Sequence, residues 1–263
     1  MRRCFALLAL CAGFGAAAAY SDDKQSALGK SLAHAFERQE KILNDANATE
    51  YVAHIAVNLS QHSGANLTPV VKIIESKDAR AAAFPGGFLY VSSGLMACVE
   101  SEAELAGVLA HEIAHLAAQH GTRPLPHDPN AAQPELPLVF RGGWAGVCGR
   151  FTAKAVPASM QDTVRGFERE ADNLAVGYLR AAGYDPLAMI EFFNKFRYDN
   201  PRLAQADSVD ELLALRSDVE RNLPPDPGYI VTTTAFSTIH TRFVPKTKPP
   251  SLSEDQVVTL RRR

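Results

Sequence analysis

The sequence predicts an α+β fold that is mostly α. Three observations carry this: apolar residues recur at helical spacing along most of the chain, only short runs are β-branched, and Gly, Pro, Asn and Asp cluster between these segments. With 263 residues, 46% of them hydrophobic, the chain suits one domain with room for a core. The formal net charge of -2 gives no electrostatic case for nucleic acid, or for an anionic membrane surface, as a partner.

Met1-Arg2-Arg3, an apolar stretch over 5–15 and small residues at 16–19 read as a secretory signal spanning 1–19, removed before Tyr20. That stretch is short for a bilayer, and no later segment is long enough to cross one. The expectation is an exported chain with no stable membrane span. Leu8-Ala9-Leu10-Cys11 hints at a lipoprotein cleavage box, but Leu10 is bulky where such a box takes a small residue. Cys4 and Cys11 belong to the signal. Cys98 and Cys148 remain, and spacing leaves open whether they form a disulfide or stay as buried thiols.

Residues 22–63 carry apolar positions for two helices, broken near 44–49 where Asn, Asp and Thr offer turn and cap chemistry. His34, His54 and His62 fall here and read as surface or cap residues. Two short strands follow, over 69–75 and 88–92, the second entered through a turn at Pro85-Gly86-Gly87. A strand edge beside a catalytic helix can pair with an extended substrate backbone; an ordinary structural hairpin fits these residues equally well.

Residues 101–120 form the helix on which the rest turns. Ala, Leu and Glu dominate, with no Pro and a single Gly, and Ser101 with Glu104 makes an S-x-x-E capping box at its start. Within it, His111-Glu112-Ile113-Ala114-His115 spells H-E-x-x-H. Residues four apart share a helix face, so both imidazoles can converge on one ion. Glu112 lies beside that face, where a carboxylate can take a proton from a water held at the ion.

Beyond the helix, five prolines between 123 and 137 mark a loop running to a Gly-rich patch at 142–146. It reads either as a lid over the cleft or as a tolerated surface insertion. His120 and His127 can reach a metal in principle, but neither has supporting spacing. A second informative helix spans 162–182 and is closed by Gly183. Asp185-Pro186 then starts a short helix through Phe196, with Ile190, Phe192, Phe193 and Phe196 inward. A further helix covers 207–222, residues 229–234 are β-prone, and the end is rich in Pro, Lys and Ser. The expected organisation is a domain over 20–235 and a tail over 236–263.

A catalytic zinc takes three protein ligands, so two histidines leave one to find. Glu168 and Glu170, in Phe167-Glu168-Arg169-Glu170-Ala171-Asp172, lie about 200° apart on their helix, so only one can face the site. Asp172 sits four residues after Glu168 on the same face, where it can accept the second N–H of a ligand histidine. This selects Glu168 as ligand and Asp172 as orienting carboxylate, with Glu170 outward.

Phe84-Pro85-Gly86-Gly87-Phe88-Leu89-Tyr90-Val91, the H-E-x-x-H helix and Glu168-Arg169-Glu170-Ala171-Asp172 together resemble the HtpX, CAAX-prenyl-protease and BepA-like family of zinc metallopeptidases, over about residues 22–196. The resemblance implies a gluzincin fold with a small antiparallel sheet whose edge strand borders the cleft. It implies one Zn²⁺ per chain on His111, His115 and Glu168, with Glu112 and Asp172 catalytic, the latter as a proton donor. The substrate it implies is an exported or misfolded protein in extended conformation, in the bacterial periplasm, with envelope proteins as partners. Two departures stand out. Asp199-Asn200-Pro201 has Asn where members often carry the His of a T-H-P segment, with His240 as a substitute of uncertain alignment. The helical-repeat array of BepA-like members has no counterpart in this sequence. Arg165, Tyr178 and His240 are the candidates for steadying an oxyanion. The competing expectation is a catalytically silent zinc-binding chaperone or adaptor, against which an intact Glu112 argues.

Overall fold

The computed structural model describes residues 22–123, 161–198, 206–222 and 228–244. The expected signal, the Pro-rich stretch from 124 on, Cys148, the Asp199-Asn200-Pro201 segment and the tail beyond 244 lie outside them. In order come α1 (Asp22–Glu37), α2 (Ala46–Gln61), β1 (Val70–Ile74), β2 (Ala81–Phe84), β3 (Phe88–Ser92), α3 (Ser93–Cys98) and α4 (Glu102–Ala117). Then follow α5 (Gln161–Ala182), α6 (Pro186–Tyr198), α7 (Ala206–Asn222) and α8 (Thr234–His240). The fold is α+β and mostly α, as expected.

The sheet lies between α1 on one side and the remaining helices on the other. Strand side chains alternate between these layers: Ile74, Ala82, Phe84 and Tyr90 pack with Ala33 and Phe36 of α1, while Val71, Ile73, Ala81, Ala83, Leu89 and Val91 join the main core with α2, α4, α5 and α6. Under α1 the rings of Phe36, Phe84 and Tyr90 meet at 4.8–5.6 Å between centroids. Tyr90 donates its hydroxyl to Glu37, which Lys72 also reaches, both at 2.6 Å, tying α1 to two strands.

Two points differ from the sequence expectation. The sheet is mixed, in the order β1-β3-β2: β3 runs antiparallel to β2 but parallel to β1. And the edge strand β2, Ala81-Ala82-Ala83-Phe84, is one the sequence reading did not see, because alanine carries little β preference. Alanine is what the position requires, since all four residues are buried between two helical layers.

The starts of α4, α6 and α8 have local causes. Ser101 caps α4 by accepting from the Glu104 amide at 3.1 Å. Glu104 reaches back one residue further than a capping box, accepting from the Glu100 amide at 2.6 Å. Asp185 accepts from Leu187 N–H at 2.9 Å and starts α6. The β-prone stretch contributes only a bridge between Ile230 and Tyr184. Thr233 instead caps α8, accepting from Phe236 N–H and donating to buried Glu102, which Tyr184 also reaches. Phe236 and Ile239, expected in the tail, are buried in the main core.

Candidate metal centre

Helices α4 and α5 pack along each other and bring three donors together. His111 Nε2 and His115 Nε2 lie 2.9 Å apart. Glu168 places Oε2 3.3 Å from the first and Oε1 3.5 Å from the second. One donor atom from each residue falls within 4.8 Å of the other two. Both imidazoles are buried and Glu168 is partly exposed, so the trio opens toward solvent on the carboxylate side. The selection of Glu168 over Glu170 by helix face agrees with these positions.

Behind His111, its Nδ1 sits 2.8 Å from Asp172 Oδ1. Burial opposes charge on His111, but hydrogen bonds to Asp172 and Glu168 outweigh it and push the imidazole up to about 10 in the metal-free chain. Burial pulls His115 down to about 3 against the attraction of Glu168, so the two imidazoles are not both charged. Glu168 is below the ordinary carboxylate range: burial resists, and the two imidazoles prevail. Two neutralisable nitrogens and a carboxylate at these separations suit a borderline divalent cation such as zinc.

Glu112 is the other sign of a reactive centre. It is 1% exposed, and neither carboxylate oxygen has a hydrogen-bond partner among the described residues. A buried, unsatisfied carboxylate costs stability and calls for an explanation beyond packing. Burial, reinforced by the charge of Glu168 and opposed by His111, raises it to about 7, where it can both take and return a proton near neutrality. These orphaned oxygens, next to the donor trio, are the observation that fits a metal with a water partner.

The surroundings are assembled from other elements. Phe193 of α6 meets the His111 ring edge-on at 5.6 Å. The cleft beside His115 is lined by Ala83 and Pro85 at the end of β2, Gln25 of α1, and Leu116, Gln119 and Thr122. The strand at the cleft is therefore β2, not the two strands legible in the sequence.

Several candidates do other work. Tyr178 donates to the Ser63 carbonyl at 3.4 Å, and Arg165 pairs with Asp162. His240 stacks on Phe236 at 5.0 Å, in a helix whose cap binds Glu102, nine residues or about 13 Å of helix rise before His111.

Sequence reading named His120 and Glu170 but missed their link to each other and to His115. His120 is buried with Nδ1 2.8 Å from His115 Nδ1 and Nε2 3.1 Å from Glu170 Oε2. Glu170 also receives Arg123 at 2.7 and 3.2 Å, which holds its carboxyl down at about 2. Glu170 is thus turned from the donor trio, as expected, yet bonded to its far side. The signal available was a third histidine five residues after the second, where the helix ends. Cys98 is disulfide-bonded.

The chain is similar to known proteins. Residues 46–232 match the sequence profile of peptidase family M48. The chain is 28% identical over 198 residues to a beta-barrel assembly-enhancing protease of Yersinia pestis, covering 70% of this chain and 40% of the relative. A protease of the same name from Escherichia coli (strain K12) is 28% identical over 200 residues, covering 70% and 39%. The chain thus spans less than half the length of these relatives.

Proposed function

The chain belongs to peptidase family M48, and from that premise we propose that it is a zinc-dependent metalloendopeptidase acting on extended segments of exported or misfolded proteins. The observation that carries this reading is the buried, unpartnered Glu112 beside the convergent His111, His115 and Glu168. His111 and His115 would hold zinc through Nε2, and Glu168 through its carboxylate. Zinc there supplies Lewis acidity, making water a nucleophile at neutral pH and polarising a peptide carbonyl.

Glu112 takes the proton of the attacking water on a carboxylate oxygen and returns it to the leaving amine. A group near 7 suits both transfers. Asp172 accepts the Nδ1 proton of His111 and so keeps its Nε2 turned toward the cleft. That geometry supports an orienting role rather than the proton-donor role the resemblance implied. The end of β2 beside His115 offers a sheet edge along which an extended peptide can add as a strand. Among the described residues no helix is long and apolar enough to cross a membrane. The relatives' name supports proteins engaged in β-barrel assembly as substrates or partners, and with them the periplasm as compartment.

The test is cleavage of casein by the purified chain with and without a chelator, alongside Glu112→Gln. The expected result is zinc bound in both proteins and proteolysis only in the metal-loaded wild type. Stoichiometric zinc with no cleavage of any unfolded protein would favour the non-catalytic adaptor.

A further inference from the structure

The two histidines of the centre are held from behind by different means. His111 has the Asp172 carboxylate at Nδ1; His115 has the ring of His120 there, at 2.8 Å. We propose that His120 is a positioning residue for the metal centre, and that His115, His120 and Glu170 form a directed hydrogen-bond relay ending on Arg123. This rests on the reading of His111, His115 and Glu168 as metal ligands.

The direction follows from the donors available. His115 Nε2 faces His111 and Glu168, so when that nitrogen gives its lone pair to a cation, the ring proton must sit on Nδ1. Nδ1 of His115 then donates, and Nδ1 of His120 can only accept. The single proton of a neutral His120 is thereby fixed on Nε2, which lies 3.1 Å from the Glu170 carboxylate and donates to it. Glu170 is in turn gripped by both terminal nitrogens of Arg123, one of which also donates to the Ala118 carbonyl at 2.8 Å. Each ring of the relay then has one tautomer.

The backbone brings His120 there by a defined turn. After α4, Gln119 adopts φ 56°. Its amide donates to the Leu116 carbonyl at 3.1 Å, and the His120 amide to the His115 carbonyl at 3.0 Å. These two bonds are the Schellman pair that closes a helix. They fold His120 back over the residue it serves. Phe167 of α5 then fixes the plane of the ring, stacked on it at 4.4 Å and 11°, with Arg123 over the Phe167 ring at 5.2 Å. The three acidic residues of Glu168-Arg169-Glu170-Ala171-Asp172 therefore divide the work: one faces the cation, and the other two support one histidine each.

Two substitutions separate positioning from packing. His120→Phe keeps a flat ring against Phe167 and removes the acceptor that faces His115 Nδ1; His120→Asn keeps an acceptor toward His115. Zinc affinity of the purified full chain, by competition with a chromophoric chelator, is expected to fall about 10- to 100-fold in His120→Phe, the range for a lost partner behind a metal-bound histidine. Most of it should return in His120→Asn, and the visible spectrum of the cobalt-substituted protein should shift in His120→Phe alone. Wild-type affinity and spectrum in His120→Phe, or an equal loss in His120→Asn, would overturn the relay. A second measurement needs no variant: long-range proton–nitrogen correlation spectra of the zinc-loaded wild type should show His120 protonated at Nε2 and bare at Nδ1, and the opposite tautomer refutes the proposal. A wild type that binds no stoichiometric zinc would instead remove the ligand reading beneath it.

Discussion

His111 Nδ1 lies 2.8 Å from Asp172 Oδ1, one turn of α5 beyond Glu168. A single helix thus presents a carboxylate to each side of the same imidazole, one toward the donor trio and one behind it. Replacing Asp172 by Asn keeps the size but removes the charge that raises His111 basicity. The expected outcome is zinc affinity lower by about 10- to 100-fold, read by chelator competition, with helical content unchanged. Unaltered affinity would show that the carboxylate only packs.

Glu112→Gln should stabilise the metal-free protein while removing proteolysis. The Glu112 carboxyl is raised to about 7 in the fold, above the ordinary carboxylate near 4.3 of an unfolded chain. The folded state therefore holds the proton longer, and stability falls as pH rises between those two values and stays low above them. Glutamine has nothing to titrate. At pH 8 the metal-free variant should exceed wild type by about 3–4 kcal/mol, a gap that closes toward pH 4. Denaturant titrations at both pH values check it; equal stability at pH 8 would mean Glu112 is solvated.

The donor trio was legible because it rests on helical periodicity alone: i and i+4 on α4, and the face shared by Glu168 and Asp172 on α5. What stayed hidden depends on tertiary burial or on how elements end. The Ala81–Phe84 strand carries no β-branched residue, since small side chains are what fit between α1 and the helical body. Thr232-Thr233-Thr234 reads as strand by its branching, yet the Thr233 hydroxyl caps a helix and binds a buried carboxylate. His120 was passed over because α4 turns back through Gln119, where the usual marker of such a turn is glycine.

That turn supplies its own prediction. α5 closes with Gly183 at φ 85° and a Tyr184 amide bonded to the Leu179 carbonyl at 2.8 Å, the same device that Gln119 makes at φ 56° with a side chain in the way. Gln119→Gly should therefore stabilise the protein, by about 0.5–1 kcal/mol, or about 2–4 °C per kcal/mol in Tm for a domain of this size. Zinc affinity should not change, because the backbone turn and not the Gln119 side chain seats His120. A drop in Tm would show that the side chain holds the turn.

Gly107, one turn before His111 on α4, lies where α6 crosses closest. A Cβ there would fall 2.6 Å from Met189 Cβ and 2.9 Å from its Cα. The obstacle is helix backbone and not a flexible side-chain tip, so Gly107→Ala must push α4 and α6 apart despite the better helix propensity of alanine. Overpacking of this kind costs about 1–3 kcal/mol. Because α6 also carries Phe193 to the His111 ring, the separation loosens the wall of the metal centre as well as the core. The variant should lose stability in denaturant titration and bind zinc more weakly, whereas Gly177→Ala, where an added Cβ meets nothing within 4 Å, should do neither. Equal losses at both positions would show that the cost does not come from the α4–α6 contact.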